Sequence, residues 1–146
     1  MITSSATATW NGVLRSGNGE FTAGSGAFAG AYTFATRFEG KTSKKGTNPE
    51  ELIASAHAAC LSMALSAALE KAGTPATNIT TKASCTIAQV EGAFKITKMH
   101  LEVRGTVNGL DQAGFVKAAE GAKANCPVSK ALSGNVEFEL DAQLVA

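Results

Sequence analysis

The sequence predicts one α+β domain, and three observations lead to this fold class. The first quarter has short runs rich in Thr and aromatic residues that are separated by Gly clusters. The middle has one long helical pattern without charges, and two long strand patterns and a second helix follow it. The chain has 146 residues, of which 45% are hydrophobic, which suffices for one sizeable core. No repeat or linker divides it, so we expect a single domain over residues 1–146.

The charge balance gives no reason to expect nucleic acid or an anionic membrane as a partner. The formal net charge is +1, and no stretch interleaves basic and aromatic residues. The N-terminus, "MITSSATATW", lacks the basic region and apolar core of a secretory signal. We therefore expect a cytoplasmic protein.

The N-terminal segment predicts a small antiparallel meander over residues 6–36. The runs "ATATW", "GEFTA" and "AYTFATRF" are strand-like, and "SGNG" and "GSG" break them. The basic stretch "EGKTSKKGT" that follows is typical of a solvated loop.

A long helix is predicted to start after Asn48. Asn48 suits the N-cap, Pro49 suits the first helical position, and Glu51 is placed to complete a capping box. The helix is expected to continue to Lys71 and to stop at Gly73.

The stretch from Leu52 to Leu69 carries no Asp, Glu, Lys or Arg. Its length touches the lower limit for a membrane span, but it is mostly Ala with several Ser residues, which favours a buried central helix. One chain of this size does not cover such a helix on all sides. We therefore expect a homodimer in which the helices of two subunits pack together.

The remainder predicts two long strands at Ile79–Val90 and Phe94–Val107, joined by the turn "EGA". The period-two pattern slips once near Met99, which indicates a bulge. Asp111 is a candidate N-cap for a second, amphipathic helix. "CPVSKAL" is typical of a short helical turn, and "NVEFELDAQLV" alternates as a last strand would.

Three cysteines, Cys60, Cys85 and Cys126, have wide, irregular spacing that does not form a disulfide framework. Taken alone, Cys60 and Cys85 are typical of buried core residues. Cys126 precedes Pro127, and if that proline opens a helix, the helix N-terminus stabilises a thiolate. A packed loop cysteine is the alternative interpretation of Cys126. Sequence alone does not show whether Cys60 and Cys126 meet.

The blocks "RFEG", "GTNPEELIASAHAACLSMALS" and "NCPVSKAL", in this order and spacing, resemble the OsmC/Ohr family of osmotically inducible and organic hydroperoxide resistance proteins. The resemblance covers nearly the whole chain and is stronger to the OsmC branch. It implies an OsmC-like fold with antiparallel sheets around a long central helix. It also implies an intertwined homodimer with active sites at the interface, and a thiol-dependent peroxidase that reduces organic hydroperoxides.

The same resemblance implies the roles of individual residues. Cys60 corresponds to the peroxidatic thiol, Cys126 to the resolving thiol and Glu50 to the active-site glutamate. Arg37 is the best match for the active-site arginine, and Arg15 is the second candidate. No cofactor or metal is implied. The partners are an organic hydroperoxide and an external dithiol reductant, which for related Ohr proteins is lipoylated.

The implied chemistry suits these residue types. A thiolate cleaves the peroxide bond, and a thiol among Ala and Leu needs a fixed cation such as Arg to ionise. Glu50 would orient that guanidinium through a bidentate pair. Glu50 and Cys60 are separated by roughly 15 Å of helical rise, so Glu50 acts through Arg or on a partner subunit. We expect at least one active-site residue to be supplied in trans, and apolar surroundings to favour alkyl or lipid hydroperoxides.

Two other functions stay open at this stage. His57 lies three residues before Cys60, close enough on a helix to interact, which leaves open a Cys/His hydrolase or acyltransferase, although His57 is better explained as a packing or interface residue that bonds a backbone group. The second alternative is a non-enzymatic module that binds an apolar ligand. His57, Cys60 and Cys126 offer metal-binding atoms but lack the close spacing of a metal motif.

Overall fold

The computed structural model describes residues 1–145 and has the predicted α+β composition. The chain forms two compact units, one at Met1–Leu52 and one from Ile53 onward. A helix that begins near the end of the first unit continues through the start of the second. The expectation of a single domain over residues 1–146 stays a prediction.

The first unit contains the predicted antiparallel meander. Strands β1 (Ala6–Asn11), β2 (Asn18–Ala23) and β3 (Ala29–Tyr32) pair in the order β1-β2-β3. Gly19 on β2 lies between the rings of Trp10 and Tyr32, where a Cβ atom would clash with both. The two rings therefore pack against each other, with centroids 5.4 Å apart.

The third strand is shorter than predicted, because part of "AYTFATRF" folds as helix α1 (Phe34–Phe38). Thr33 is its N-cap: the Thr33 hydroxyl accepts from the Thr36 N–H at 3.2 Å, and the Thr36 hydroxyl accepts from the Thr33 N–H at 2.9 Å. This reciprocal capping box gives the backbone an alternative to the sheet, and it overrides the strand preference of the Thr and Phe residues. As a result, Arg37 lies on a helix.

Helix α2 (Pro49–Lys71) has the predicted bounds. Asn48 caps it, with its Oδ1 accepting from the Glu51 N–H at 2.8 Å. The predicted capping box is wrong in its second half, because the Glu51 carboxylate accepts from the Thr47 hydroxyl at 2.5 Å. The Glu51 carboxylate is therefore bonded to the hydroxyl of Thr47, the residue before the N-cap, and not to the N–H of Asn48.

The end of α2 is closed by the predicted glycine. Gly73 has a φ of 82°, in the left-handed region that glycine adopts without steric cost. The Thr74 N–H then donates to the Leu69 carbonyl at 3.0 Å, which is the long bond of a Schellman motif.

One face of α2 is buried and the opposite face is open. Of its most apolar stretch, 28% is buried within the chain, although its length and mean hydropathy of 1.7 would suit a membrane span. Met63 is 75% exposed. The incomplete cover agrees with the expectation that one chain cannot enclose this helix, while the dimer stays a prediction. The buried residues of α2 are Glu50, Ala54, His57, Leu61, Leu65 and Leu69.

The second unit contains a sheet of three strands in the order β4-β5-β6. Strands β4 (Ala76–Val90) and β5 (Ala93–Val107) form the predicted antiparallel hairpin. Its two-residue turn has positive φ at both positions, 51° at Glu91 and 83° at Gly92, which matches the right-handed twist of the flanking strands.

The predicted bulge lies close to the expected position. The register of the hairpin shifts between Thr86 and Ile87, which leaves Thr97 of β5 as the extra residue, two positions before Met99. Beyond the bulge, alternate β5 side chains point into the core; the fully buried ones are Met99, Leu101 and Val103.

Strand β6 (Glu137–Leu144) pairs with β5 in parallel. A parallel partner requires a crossover, which helices α3 (Gln112–Asn125) and α4 (Pro127–Leu132) supply. The predicted N-cap of α3 is confirmed, since Asp111 accepts from the Gly114 N–H at 2.8 Å. The buried side chains of α3 are Phe115, Ala119 and Ala122.

Candidate active site

The second unit brings together the two cysteines that lie 66 positions apart. The Cys60 and Cys126 sulfur atoms are 2.7 Å apart, and both residues are free thiols. A disulfide bond is about 2.05 Å long, so a small movement would join them. Cys60 is partly accessible, whereas Cys126 is fully buried. One thiol is thus open to a reactant, and the other lies behind it.

Cys126 is held at the junction of two helices. Its N–H donates to the Ala122 carbonyl at 2.8 Å, and its carbonyl accepts from the Lys130 N–H at 3.0 Å. It is therefore both the C-cap of α3 and the N-cap of α4, with Pro127 at the first position of α4. This confirms that Pro127 opens a helix directly after the thiol.

The surroundings of the two sulfurs push their pKa values in opposite directions. Burial and the contact with Cys126 raise the pKa of Cys60, against a smaller lowering by the backbone N–H of Val128. Burial also disfavours charge on Cys126, but interactions with Cys60, Ser129 and Val128 outweigh it and lower the pKa of Cys126. Within this unit the negative charge of the pair is therefore favoured on Cys126. A Cys60 thiolate would need a further positive group to stabilise it.

His57 and Ser129 form a buried contact beside the thiols. The His57 Nε2 and Ser129 Oγ atoms are 2.7 Å apart, and the two side chains are 0% and 2% exposed. The Phe138 ring meets the imidazole edge-on, with centroids 5.4 Å apart. Burial lowers the pKa of His57, so its ring is neutral at neutral pH. His57 therefore bonds a side chain, not the backbone group that the sequence suggested.

Arg37 and Glu50 form an ion pair in the first unit. The Arg37 Nε and Nη2 atoms donate to Glu50 Oε1 at 3.2 and 2.8 Å. Both donors converge on one oxygen, so the pair is not the two-oxygen fork that was predicted. Glu50 is 4% exposed, and its Oε2 is buried without a hydrogen-bond partner among residues 1–145. The unused oxygen leaves the carboxylate with spare acceptor capacity.

The second arginine candidate is placed differently. The Arg15 guanidinium carbon lies 4.9 Å from the centroid of the Phe34 ring, a cation–π arrangement. Arg37 has a similar contact with Phe38 at 5.2 Å and, in addition, binds Glu50. Of the two candidates, Arg37 therefore pairs with the predicted glutamate. Its action at the Cys60 sulfur stays a prediction.

The predicted site residues thus form two pairs, one in each unit: the thiols of Cys60 and Cys126, and the ions of Arg37 and Glu50. Sequence reasoning missed Ser129. A signal was available, since His57 lies one helical turn before Cys60 and Ser129 lies one turn after Cys126. Among residues 1–145, no cluster of three His, Cys, Asp or Glu side chains could hold a metal ion.

Comparison with protein families finds that residues 40–141 match the model described as OsmC-like protein. The matched range includes both thiols and Glu50, but it begins after Arg37. This range is about two thirds of the chain, so the match extends well beyond the cysteine motifs.

Individual relatives agree with the family match. The chain is 46% identical to the Escherichia coli protein named peroxiredoxin OsmC over 136 residues, which cover 92% of each chain. It is 35% identical over 104 residues to the organic hydroperoxide resistance protein OhrA of Bacillus subtilis, with 69% of this chain and 70% of that protein covered. Among solved structures, OhrB of Bacillus subtilis superimposes with a TM-score of 0.76 at 26% identity, covering 95% and 98% of the two chains.

Proposed function

Because the chain belongs to the family of OsmC-like proteins, we propose that it is a thiol-dependent peroxidase that reduces organic hydroperoxides to alcohols. Relatives named for peroxiredoxin activity and for hydroperoxide resistance support the detoxifying role. The observation that carries the proposal is the contact of the two sulfurs at 2.7 Å, with only Cys60 partly accessible. This arrangement suits a reactive thiol backed by a second thiol that resolves it.

The first step takes place at Cys60. Its thiolate attacks the terminal oxygen of the hydroperoxide, the O–O bond breaks, and the alkoxide leaves as an alcohol after taking a proton. Cys60 becomes a sulfenic acid. Because burial and Cys126 raise the pKa of Cys60, this step requires a positive group at the sulfur.

We assign that positive group to Arg37, on the basis of the family resemblance. Arg stays charged at all working pH values, and its donors also stabilise the oxygen that takes up charge as the O–O bond breaks. Glu50 holds two nitrogens of Arg37 and thereby restricts the orientation of the guanidinium. Glu50 is a positioning residue in this scheme.

The second and third steps restore the enzyme. The Cys126 sulfur attacks the sulfenic acid, a disulfide forms between Cys60 and Cys126, and water is released. An external dithiol then reduces the disulfide by thiol–disulfide exchange, so no bound cofactor is required. We propose a cytoplasmic location for the protein and a lipoyl-type dithiol as the external reductant.

The active unit is proposed to be a homodimer. The face of α2 that carries Met63 is apolar and open, and a second copy of the helix would cover it. An interface of this kind also provides apolar surroundings for an alkyl or lipid hydroperoxide. In such a dimer, at least one active-site residue is supplied by the partner chain.

Thiol counting tests the function directly. The reduced protein is treated with one equivalent of cumene hydroperoxide, and free thiols are titrated before and after. We expect the loss of two thiols per chain and a Cys60–Cys126 disulfide in the mass spectrum. Cys85→Ser serves as the control and should behave like the unchanged protein.

The same experiment separates the alternatives. A binding module would lose no thiols. A Cys/His hydrolase would give a burst of product from an activated ester, but neither nitrogen of its predicted base bonds the Cys60 thiol: His57 Nε2 contacts Ser129, and His57 Nδ1 has no hydrogen-bond partner among residues 1–145. An ester burst without hydroperoxide consumption would refute the peroxidase proposal.

A further inference from the structure

A line of polar side chains extends from the thiol pair into the core of the second unit. Cys60 contacts Cys126, the Cys126 sulfur interacts with Ser129, and Ser129 contacts His57. Cys60 and His57 lie on α2, Ser129 lies on α4, and Cys126 lies between α3 and α4. The ring of Phe138 on β6 contacts the imidazole of His57. None of these side chains carries a fixed charge. The proposed peroxidase chemistry uses the two thiols but assigns nothing to the other two polar residues.

We propose that Ser129 and His57 are positioning residues that hold the Cys126 sulfur as a thiolate, ready to attack the Cys60 sulfenic acid. The inference rests on the proposed function and deepens it, because it names what prepares the resolving thiol. Ser129, one helical turn after Cys126 in α4, is assigned the hydrogen bond to that sulfur, and His57 acts through Ser129.

The direction of hydrogen-bond donation along His57, Ser129 and Cys126 follows from the protons that are available. Ser129 has one hydroxyl proton, and donating it to the sulfur stabilises a thiolate. The Ser129 oxygen is then free to accept from the N–H at His57 Nε2, 2.7 Å away. This assigns the His57 ring proton to Nε2 and leaves Nδ1 as an acceptor, which is the atom without a partner among the described residues.

The opposite polarity would make His57 a base that removes the Cys126 proton through Ser129. That route places a positive charge on a ring with 0% exposure. Burial lowers the pKa of His57, so a charged imidazole is disfavoured at this position. The Phe138 ring beside His57 offers no acceptor of comparable strength. The favoured assignment is therefore that a neutral His57 donates to Ser129 and Ser129 donates to the Cys126 sulfur.

The resolving step balances without any further reactant. The Cys126 thiolate forms the S–S bond, the S–O bond of the Cys60 sulfenic acid breaks, and the departing hydroxide takes a proton to become water. The Cys60 sulfur gains electrons and the Cys126 sulfur loses them. Ser129 and His57 keep their own protons throughout, since they only stabilise the charge that Cys126 carries before attack.

The first test separates the two chemical steps in a rapid-mixing experiment with cumene hydroperoxide. Ser129→Ala should slow disulfide formation about tenfold at neutral pH, because it removes a donor to a charged sulfur. Formation of the Cys60 sulfenic acid should stay within about twofold, and higher pH should recover the lost rate. Ser133→Ala, an exposed serine at the end of the same short helix, is the matched control. Equal slowing of both steps, or no slowing, would overturn the proposal.

Conservative variants distinguish a donor line from simple packing. Ser129→Thr keeps the hydroxyl and should retain the rate within about threefold. His57→Gln keeps an N–H donor but cannot serve as a base, so it should outperform His57→Leu by about fivefold in disulfide formation. A glutamine variant as slow as the leucine variant would exclude the donor role of His57.

A measurement without hydroperoxide keeps this inference separate from the peroxidase proposal. With ¹³C-labelled cysteine, the Cβ resonance of Cys126 reports its ionisation by NMR. Ser129→Ala should move the titration of the Cys126 thiol upward by about one pH unit, and Ser133→Ala should leave it in place. An unchanged titration would refute the thiolate-holding role even if the enzyme reduces hydroperoxides. A shifted titration in a protein that consumes no hydroperoxide would instead refute only the peroxidase proposal.

Discussion

The thiol pair and the ion pair are both contacts below 3 Å, yet the chain builds them by different means. Arg37 and Glu50 are 13 positions apart, and local structure places them: a capped helix of one turn carries Arg37, and the first turn of α2 carries Glu50. Cys60 and Cys126 are 66 positions apart. Two long strands and helix α3 lie between them in the sequence, so their contact requires the complete second unit.

The two pairs also differ in how their charge is supported. Glu50 is buried, while the Arg37 side chain is 37% exposed, so water shares in the stabilisation of the ion pair. Around Cys126, the groups that lower the pKa of the thiol are neutral hydrogen-bonding groups of Cys60, Ser129 and Val128. A fixed pair of ions suits orientation, because its charges do not change during a reaction. A thiol pair with opposed pKa shifts suits redox chemistry, because its charge and proton can move.

The largest expected effect comes from removing the accessible sulfur. Cys60→Ser should abolish hydroperoxide reduction, with a fall of at least about 1,000-fold, because a hydroxyl is hardly ionised near neutral pH and makes a poor nucleophile. Steady-state consumption of cumene hydroperoxide with a dithiol reductant measures it. Cys85→Ser is the control and should retain full activity. Residual turnover near that of the control would mean that Cys60 is not the reacting sulfur.

The next largest effect separates the two thiols. Cys126→Ser should permit one turnover per chain and then stop, leaving Cys60 as sulfenic acid or in a more oxidised state. Mass spectrometry of Cys60 after one and ten equivalents of hydroperoxide measures this. Sustained turnover with the dithiol would show that the external reductant reaches Cys60 directly and that the buried sulfur is dispensable.

A moderate effect is expected at the ion pair. Arg37→Ala should lower the free energy of unfolding by about 2 kcal/mol, because it leaves the buried carboxylate of Glu50 without its cation. Lys41→Ala is the matched control: Lys41 pairs with Glu39 on the surface, where both side chains are well exposed, and its loss should cost at most about 0.5 kcal/mol. Urea unfolding compares the two. Equal effects would show that burial of Glu50 adds nothing to the pair.

The smallest effect concerns the histidine behind the thiols. Since burial lowers the pKa of His57 below its ordinary value, the unfolded chain binds its proton more readily than the folded one. Stability contributed by this residue is therefore full above the unfolded pKa, about 6.5, and falls with acidification toward the folded pKa. The difference in unfolding free energy between the unchanged protein and His57→Gln should decrease as the pH falls from 7.5 to 5.5, by at most about 1.4 kcal/mol per pH unit. A flat difference would contradict a neutral buried imidazole.

Particular residues show how far sequence reasoning reached. The bounds of α2 followed from Asn48, Pro49 and Gly73, because caps and stops act within a few residues. The N-cap position of Cys126 followed in the same way from Pro127. The strand pattern failed at α1, where a capping box of two threonines overrode it. At α1 the strand preference of the residues opposed the helix-capping preference of Thr33 and Thr36, and the capping hydrogen bonds determined the conformation.

The sequence by itself determined the long helices and strands, the caps and the resemblance to OsmC-like proteins, since propensity, capping and motif order depend on neighbouring residues. Only the tertiary structure decided the parallel pairing of β5 and β6, the contact of the two sulfurs and the bond from His57 to Ser129. Each of these joins residues more than 30 positions apart. Such contacts depend on how the sheet and helices pack, and no short stretch of sequence carries that information.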